Sequence, residues 1–273
     1  MKTFKIDCEL DYEVADAADF IFHIEAARDD DAQTILHESL DIEPALLSRR
    51  FIDRYTGNRY FRVHKPDSGP LRIHYQAVVQ LLPKIVDLDA PEIPIADLPE
   101  EALQYLMATR YCESDLLERT AHRTFGSTPP GYQRVRAITD WVHENIEYEL
   151  GSSNSMTTAR DVLVSRAGVC RDFAHLSISF CRALNIPARL VVGYSTFEQP
   201  PPDFHATFEA YLGGAWHLFD PTGLAPVDRL VRIGCGRDAK DVAFATIFGR
   251  ATGGRVNPEI FEISEVEAQE FLA

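Results

Sequence analysis

Positive charge is in short supply along this chain: 273 residues carry 27 Lys and Arg against 42 Asp and Glu, a formal net charge of −15 at pH 7. The deficit is not a tail effect, since 11 basic residues face 18 acidic ones up to position 95 and 16 face 24 beyond it. Nucleic acid and anionic membrane need a basic surface, so neither is expected as a partner. No run approaches the ~18 apolar residues of a membrane span. The opening Met1-Lys2-Thr3-Phe4-Lys5-Ile6-Asp7 lacks the apolar core of a secretory signal. Cysteine is sparse as well: Cys8, Cys112, Cys170, Cys181 and Cys235 are scattered, odd in number and without a Cys-x-x-Cys pair. That pattern argues against a disulfide framework or a structural zinc site. The expectation is a cytoplasmic protein with free thiols, no metal and no cofactor. Gly234-Cys235-Gly236-Arg237-Asp238 is glycine-rich but lacks the flanking strand and helix of a phosphate loop.

What is present describes an ordinary globular chain, 45% hydrophobic with mean hydropathy −0.16, long enough for two domains. Up to about residue 85 the pattern is β-rich. Leu10–Val14, Phe20–Ile24, Asn58–Val63 and Leu71–Val79 alternate or run apolar at strand length. Turn signals at Thr56-Gly57-Asn58 and Pro66–Pro70 separate strands and suggest a small sandwich. Asp29-Asp30-Asp31 reads as a loop tip without the spaced ligands of a calcium loop. Prolines 83, 91, 94 and 99 mark a boundary, placing a β-rich domain over 1–90 and a second over 91–273. Beyond it the period becomes helical: one stripe runs through Leu103, Leu106 and Met107, another through Val135, Ile138, Val142 and Ile146. Thr158-Ala159-Arg160-Asp161 fits a capping box opening a short helix. Strand-like segments then follow at 188–194, 205–212 and 216–220, so the class is α+β.

Chemistry concentrates in Gly168-Val169-Cys170-Arg171-Asp172-Phe173-Ala174-His175. It reads as a turn delivering Cys170 to the first turn of a helix that ends near Asn185-Ile186-Pro187. Unpaired N–H groups and the helix dipole at that position favour a thiolate. A base and a group to orient it are available on one hairpin. Gly213-Gly214 is a two-residue turn signal, and with it as the loop Thr207 faces Asp220, diagonal to His205 on the same sheet face. A three-residue loop would put His205 and Asp220 on opposite faces. Cys170, Asp172 and His175 also form a Cys-x-Asp-x-x-His string, but Cys170 and His175 point to different helix faces, which makes a poor metal trio. Pro200-Pro201-Pro202-Asp203 is a stiff loop before His205.

These segments, with Ala188–Tyr194, His205–Tyr211 and Trp216–Thr222, resemble the transglutaminase-like superfamily over about residues 130–250, most of all its bacterial cysteine protease branch. The preceding β-rich part resembles the N-terminal domain of that branch. The resemblance implies a papain-like core, with the cysteine helix packed on an antiparallel sheet. It implies Cys170 as nucleophile, His205 as general base and acid, and Asp220 as orienting carboxylate. The implied function is a thiol enzyme acting on amide bonds of a peptide or protein through a thioester, as peptidase, amidase or transamidase. Alternatives are a catalytically silent binding module and an acyl-thioester-to-amine transferase. The oxyanion needs donors: the Cys170 N–H is one, and Tyr148 or a group among Ser152–Ser155 is a candidate for the second. Asp172 is a candidate substrate-amine contact or a simple dipole partner, and Arg237 or Asp238 could line the cleft.

Overall fold

Burial alternates along the first thirteen-residue strand, β1 (Lys2–Val14): Phe4, Ile6, Cys8, Leu10, Tyr12 and Val14 all face inward, the period of a strand with one wet face. The computed structural model describes residues 1–28, 32–197 and 203–272. The Asp29–Asp31 tip and Pro200–Pro202 lie outside them. β2 (Ala18–Phe22), β3 (Gln33–Glu43), β4 (Ser48–Ile52), β5 (Arg59–Lys65) and β6 (Gly69–Leu81) complete the N-terminal strands. They form two antiparallel layers around one core, where Tyr12 meets Phe20 at 5.3 Å and Phe22 stacks on Phe61 at 5.0 Å.

The chain then turns helical through α1 (Glu100–Leu103), α2 (Ser114–Phe125) and α3 (Tyr132–Asn145). The stripe through Leu103 and Leu106 breaks after one turn into a short 3-10 segment. The α2 helix buries Leu117, Ala121 and Phe125 at four-residue spacing. A two-residue strand, β7 (Glu147–Tyr148), precedes α4 (Ala159–Ser165), which opens on the Thr158/Asp161 capping box. A second two-residue strand, β8 (Ala167–Gly168), pairs with β7 and leads directly into α5 (Cys170–Ala183).

An antiparallel sheet of β9 (Ala188–Tyr194), β10 (His205–Leu212), β11 (Ala215–Phe219) and β12 (Val231–Gly236) follows, in the order β11-β10-β9-β12. Ala206, Phe208, Ala210 and Leu212 of β10 share a core with Phe173, Leu176 and Phe180 of α5. The cysteine helix therefore packs on an antiparallel sheet behind a β-rich N-terminal part, the expected α+β architecture. The division expected at 90/91 leaves the last strands with the helices. In the structure β13 (Ala245–Phe248) pairs with β2, and β14 (Ala251–Ile263) pairs with β1 along its length. Helix α6 (Glu265–Leu272) ends with Phe271 under Lys5 at 4.5 Å. The two parts also meet at Gly234, where a Cβ would fall 2.4 Å from Asn58 Oδ1 and 2.5 Å from His23 Nε2.

Candidate active site

Cys170 is the first residue of α5, after Val169 in extended conformation. The turn that delivers it is made by Arg166, the left-handed residue (φ 62°), rather than by Gly168. Gly168 serves close packing instead, since a Cβ there would lie 2.8 Å from Asp172 Cβ. Cys170 is half-buried, whereas Cys8, Cys112, Cys181 and Cys235 are buried. Burial pushes the Cys8 thiol up to about 12 and the Cys112 thiol up to about 11, and raises Cys181 as well. Thiolate chemistry needs access and a low proton affinity, and those three bystanders are denied both. The Cys170 Sγ lies 3.9 Å from the Phe204 carbonyl oxygen, next in the chain to His205.

The hairpin of β10 and β11 pairs Leu212 with Ala215, Tyr211 with Trp216 and Phe208 with Phe219, the register of a two-residue loop. Gly213 and Gly214 both take positive φ, 57° and 86°, as such a loop requires. One step further, the parity brings the His205 and Asp220 side chains together. His205 Nε2 donates to Asp220 Oδ2 at 2.8 Å, with the two side chains 1% and 3% exposed. Asp220 Oδ1 accepts from the Thr222 backbone N–H at 2.9 Å and its hydroxyl at 2.7 Å, which fixes the carboxylate. Burial alone would lower the His205 pKa. The hydrogen bond to Asp220 and the charges of Asp220 and Cys170 hold it up at about 10. Burial raises the Asp220 pKa, but the bond and charge of His205 outweigh that and set it below the usual carboxylate range. With Nε2 committed, Nδ1 is buried without a conventional hydrogen-bond partner. It is the ring nitrogen that Asp220 does not engage.

Tyr148 is half-buried with its ring 5.8 Å from Phe173. Its strand pairs Tyr148 with Gly168, two residues before Cys170, and burial followed by the charge of Cys170 raises its pKa. The two oxyanion candidates therefore sit side by side. Other expected site residues go elsewhere. Ser152 Oγ donates to the Glu149 carbonyl at 2.7 Å and Ser153 Oγ to Asp172 Oδ2 at 2.5 Å. Asp172 is 1% exposed and also accepts from the Val169 N–H at 2.9 Å. It caps α5 one-sidedly, because valine offers no acceptor in return, and it is unavailable as a substrate-amine contact. His175 is fully buried, accepts from the Ala239 N–H at 3.1 Å and stacks on Tyr111 at 5.2 Å. Burial pushes its pKa down to about 3, so it is neutral. Among the described residues no three His, Cys, Asp or Glu side chains could hold a metal ion. Arg237 pairs with Asp241 at 2.8 Å, and the buried Asp238 accepts from the Tyr111 and Lys240 N–H groups. Both brace the loop beside His175 instead of lining a cleft.

Residues 118–221 match the family model described as transglutaminase-like superfamily, and residues 1–101 match the bacterial transglutaminase N-terminal domain. A solved structure from Cytophaga hutchinsonii, described as a candidate cysteine protease, is 42% identical with a TM-score of 0.92, covering 96% of this chain and 91% of that one. An uncharacterized protein of Mycobacterium leprae is 26% identical over 79% of this chain and 81% of its own length. The kyphoscoliosis peptidase of Homo sapiens is 32% identical over 33% of this chain and 15% of its own length.

Proposed function

The chain belongs to the transglutaminase-like superfamily, a family of thiol-dependent enzymes, and on that premise we propose that it hydrolyses amide bonds of a peptide or protein through a Cys170–His205–Asp220 triad. The observation that carries the reading is the buried 2.8 Å bond between His205 Nε2 and Asp220 Oδ2, with the ring's other nitrogen left for the accessible thiol. An imidazolium held up to about pH 10 keeps a proton ready for the departing amine. Cys170 Sγ attacks the carbonyl carbon, and the oxyanion is met by the Cys170 N–H and the Tyr148 hydroxyl. His205 then gives its proton to the amine, the C–N bond breaks and a thioester remains. The neutral His205 next takes a proton from water, which adds to the thioester and releases the acid and the thiol. Water rather than an amine as acceptor is supported by the protease and peptidase descriptions of two relatives. Five free cysteines support action in a reducing compartment.

The test is iodoacetamide alkylation mapped by mass, with and without His205→Ala, followed by product analysis of a peptide library with an added amine. Cys170 should react at least tenfold faster than Cys112 or Cys235, and the advantage should vanish in the variant. Equal rates at the three thiols would remove the nucleophile. Amine-linked products in place of free acids would reassign the chain to transamidation.

A further inference from the structure

Asp172 lies two residues after the nucleophile, buried, and its carboxylate meets four donor groups. Oδ2 accepts from the Val169 N–H at 2.9 Å and the Ser153 hydroxyl at 2.5 Å. Oδ1 accepts from Arg171 Nε at 3.2 Å and Nη2 at 3.1 Å. Arg171 Nη2 also donates to Ser153 Oγ and to the Asn154 carbonyl, each at 3.1 Å. A buried negative charge beside a thiolate works against the thiolate, so stabilising the nucleophile does not explain it. What the carboxylate joins explains it better. Val169 is the residue whose peptide leads into the Cys170 N–H. Ser153 and Asn154 belong to the loop that leaves Tyr148, itself anchored at its start by the Glu149 N–H on the Gly168 carbonyl at 3.0 Å.

We infer that Asp172, Arg171 and Ser153 form a latch that positions the Tyr148 hydroxyl against the Cys170 N–H, so that two donors converge on one oxyanion. They are positioning residues, and the inference rests on the acyl-transfer reading above. It separates two reactions of the same thiol. Acylation passes through an oxyanion, whereas alkylation is displacement at a saturated carbon and needs no such donors.

The probes are p-nitrophenyl acetate for acylation and iodoacetamide for alkylation, applied to the full chain with Asp172→Asn, Ser153→Ala and Ser153→Thr. Losing one oxyanion donor costs ~10²–10³ in rate, so displacing one should slow acylation by ~10–10² in Asp172→Asn and Ser153→Ala. Alkylation of Cys170 should stay within about threefold of wild type, and Ser153→Thr, which keeps the hydroxyl, should restore acylation. Adding Tyr148→Phe to Asp172→Asn should slow acylation by less than the product of the single effects, the mark of residues acting on one point. Acylation and alkylation falling together would overturn the latch in favour of plain structural damage, and so would unchanged acylation. If the wild-type chain alkylates but does not acylate, the amide reading fails. The latch then stands or falls on whether Asp172→Asn speeds amide hydrogen exchange in residues 149–157 while leaving α5 protected.

Discussion

Replacing Asp220 with Asn keeps the shape of the side chain and removes its charge, so it isolates what the carboxylate does for His205. Both groups are all but inaccessible, and their bond is 2.8 Å long. Breaking a buried charged pair by altering one partner costs ~3–5 kcal/mol. At ~1.36 kcal/mol per factor of ten, that is roughly two to almost four decades in rate if the imidazolium is required in the transition state. The direction of the titration follows from the same contacts. Burial opposes the charged ring, and Asp220 is the foremost of the groups that lift its pKa to about 10. Without the carboxylate the ring should titrate far lower, leaving His205 neutral at pH 7–9 and the thiol without its cationic partner. The assay is the pH dependence of Cys170 alkylation and of p-nitrophenyl acetate acylation, with His205 followed by NMR. Alkylation and acylation within threefold of wild type, with His205 still titrating near 10, would refute the reasoning.

Tyr148→Phe should slow acylation by ~10²–10³ while sparing alkylation, because only the former builds an oxyanion; stopped-flow nitrophenolate release reads the first arm and iodoacetamide labelling mapped by mass the second. Wild-type acylation by a saturating peptide anilide, whose amine leaving group needs a proton, should fall as pH rises through about 10, where His205 loses its proton; His205→Ala should lack that limb. The same shift enters stability. A histidine whose folded pKa lies above its unfolded value of ~6.5 stabilises the fold fully below that value and progressively loses the contribution as pH rises toward about 10. The thermal midpoint of wild type should therefore decline more steeply over that window than that of Asp220→Asn. Gly168→Ala places a Cβ 2.8 Å from Asp172 Cβ; forcing the helix start outward should cost ~1–3 kcal/mol and slow acylation, as read by melting and ester turnover.

The features legible in the sequence are those fixed over short range. A Gly-Gly loop sets the parity of its hairpin, and parity alone puts residue 205 on the face that carries residue 220. The capping box at Thr158 and the strand at 188–194 are local for the same reason. The strands at 245–248 and 251–263 were not legible as part of the N-terminal sheets, because their partners lie more than two hundred positions upstream. No periodicity in either segment names the other. The exposed strand β4 lacked a clean pattern as well; Ser48–Ile52 buries none of its residues, so no buried face imposes an alternation.

Within the site, the division falls between residue type and residue commitment. Cys170, His205 and Asp220 are recognisable because their chemistry demands each type in an order the hairpin makes geometrically sound. Asp172, Ser153, Arg237 and Asp238 are equally polar, yet the structure binds each of them to backbone or to a neighbouring polar side chain. A sequence lists donors and acceptors but not which have already been used. Tyr148 shows the converse. Its relation to Cys170 depends on a parallel pairing of only two residues on each strand, Glu147 with Ala167 and Tyr148 with Gly168, too short to leave a period. The one visible trace is Gly168, whose missing Cβ leaves room for the Asp172 side chain and so for the latch against the Tyr148 loop. A glycine read as a turn was in fact a packing requirement, and the left-handed turn had been taken by Arg166 two residues earlier. Distinguishing the two needs the backbone angle, because both uses select the same residue.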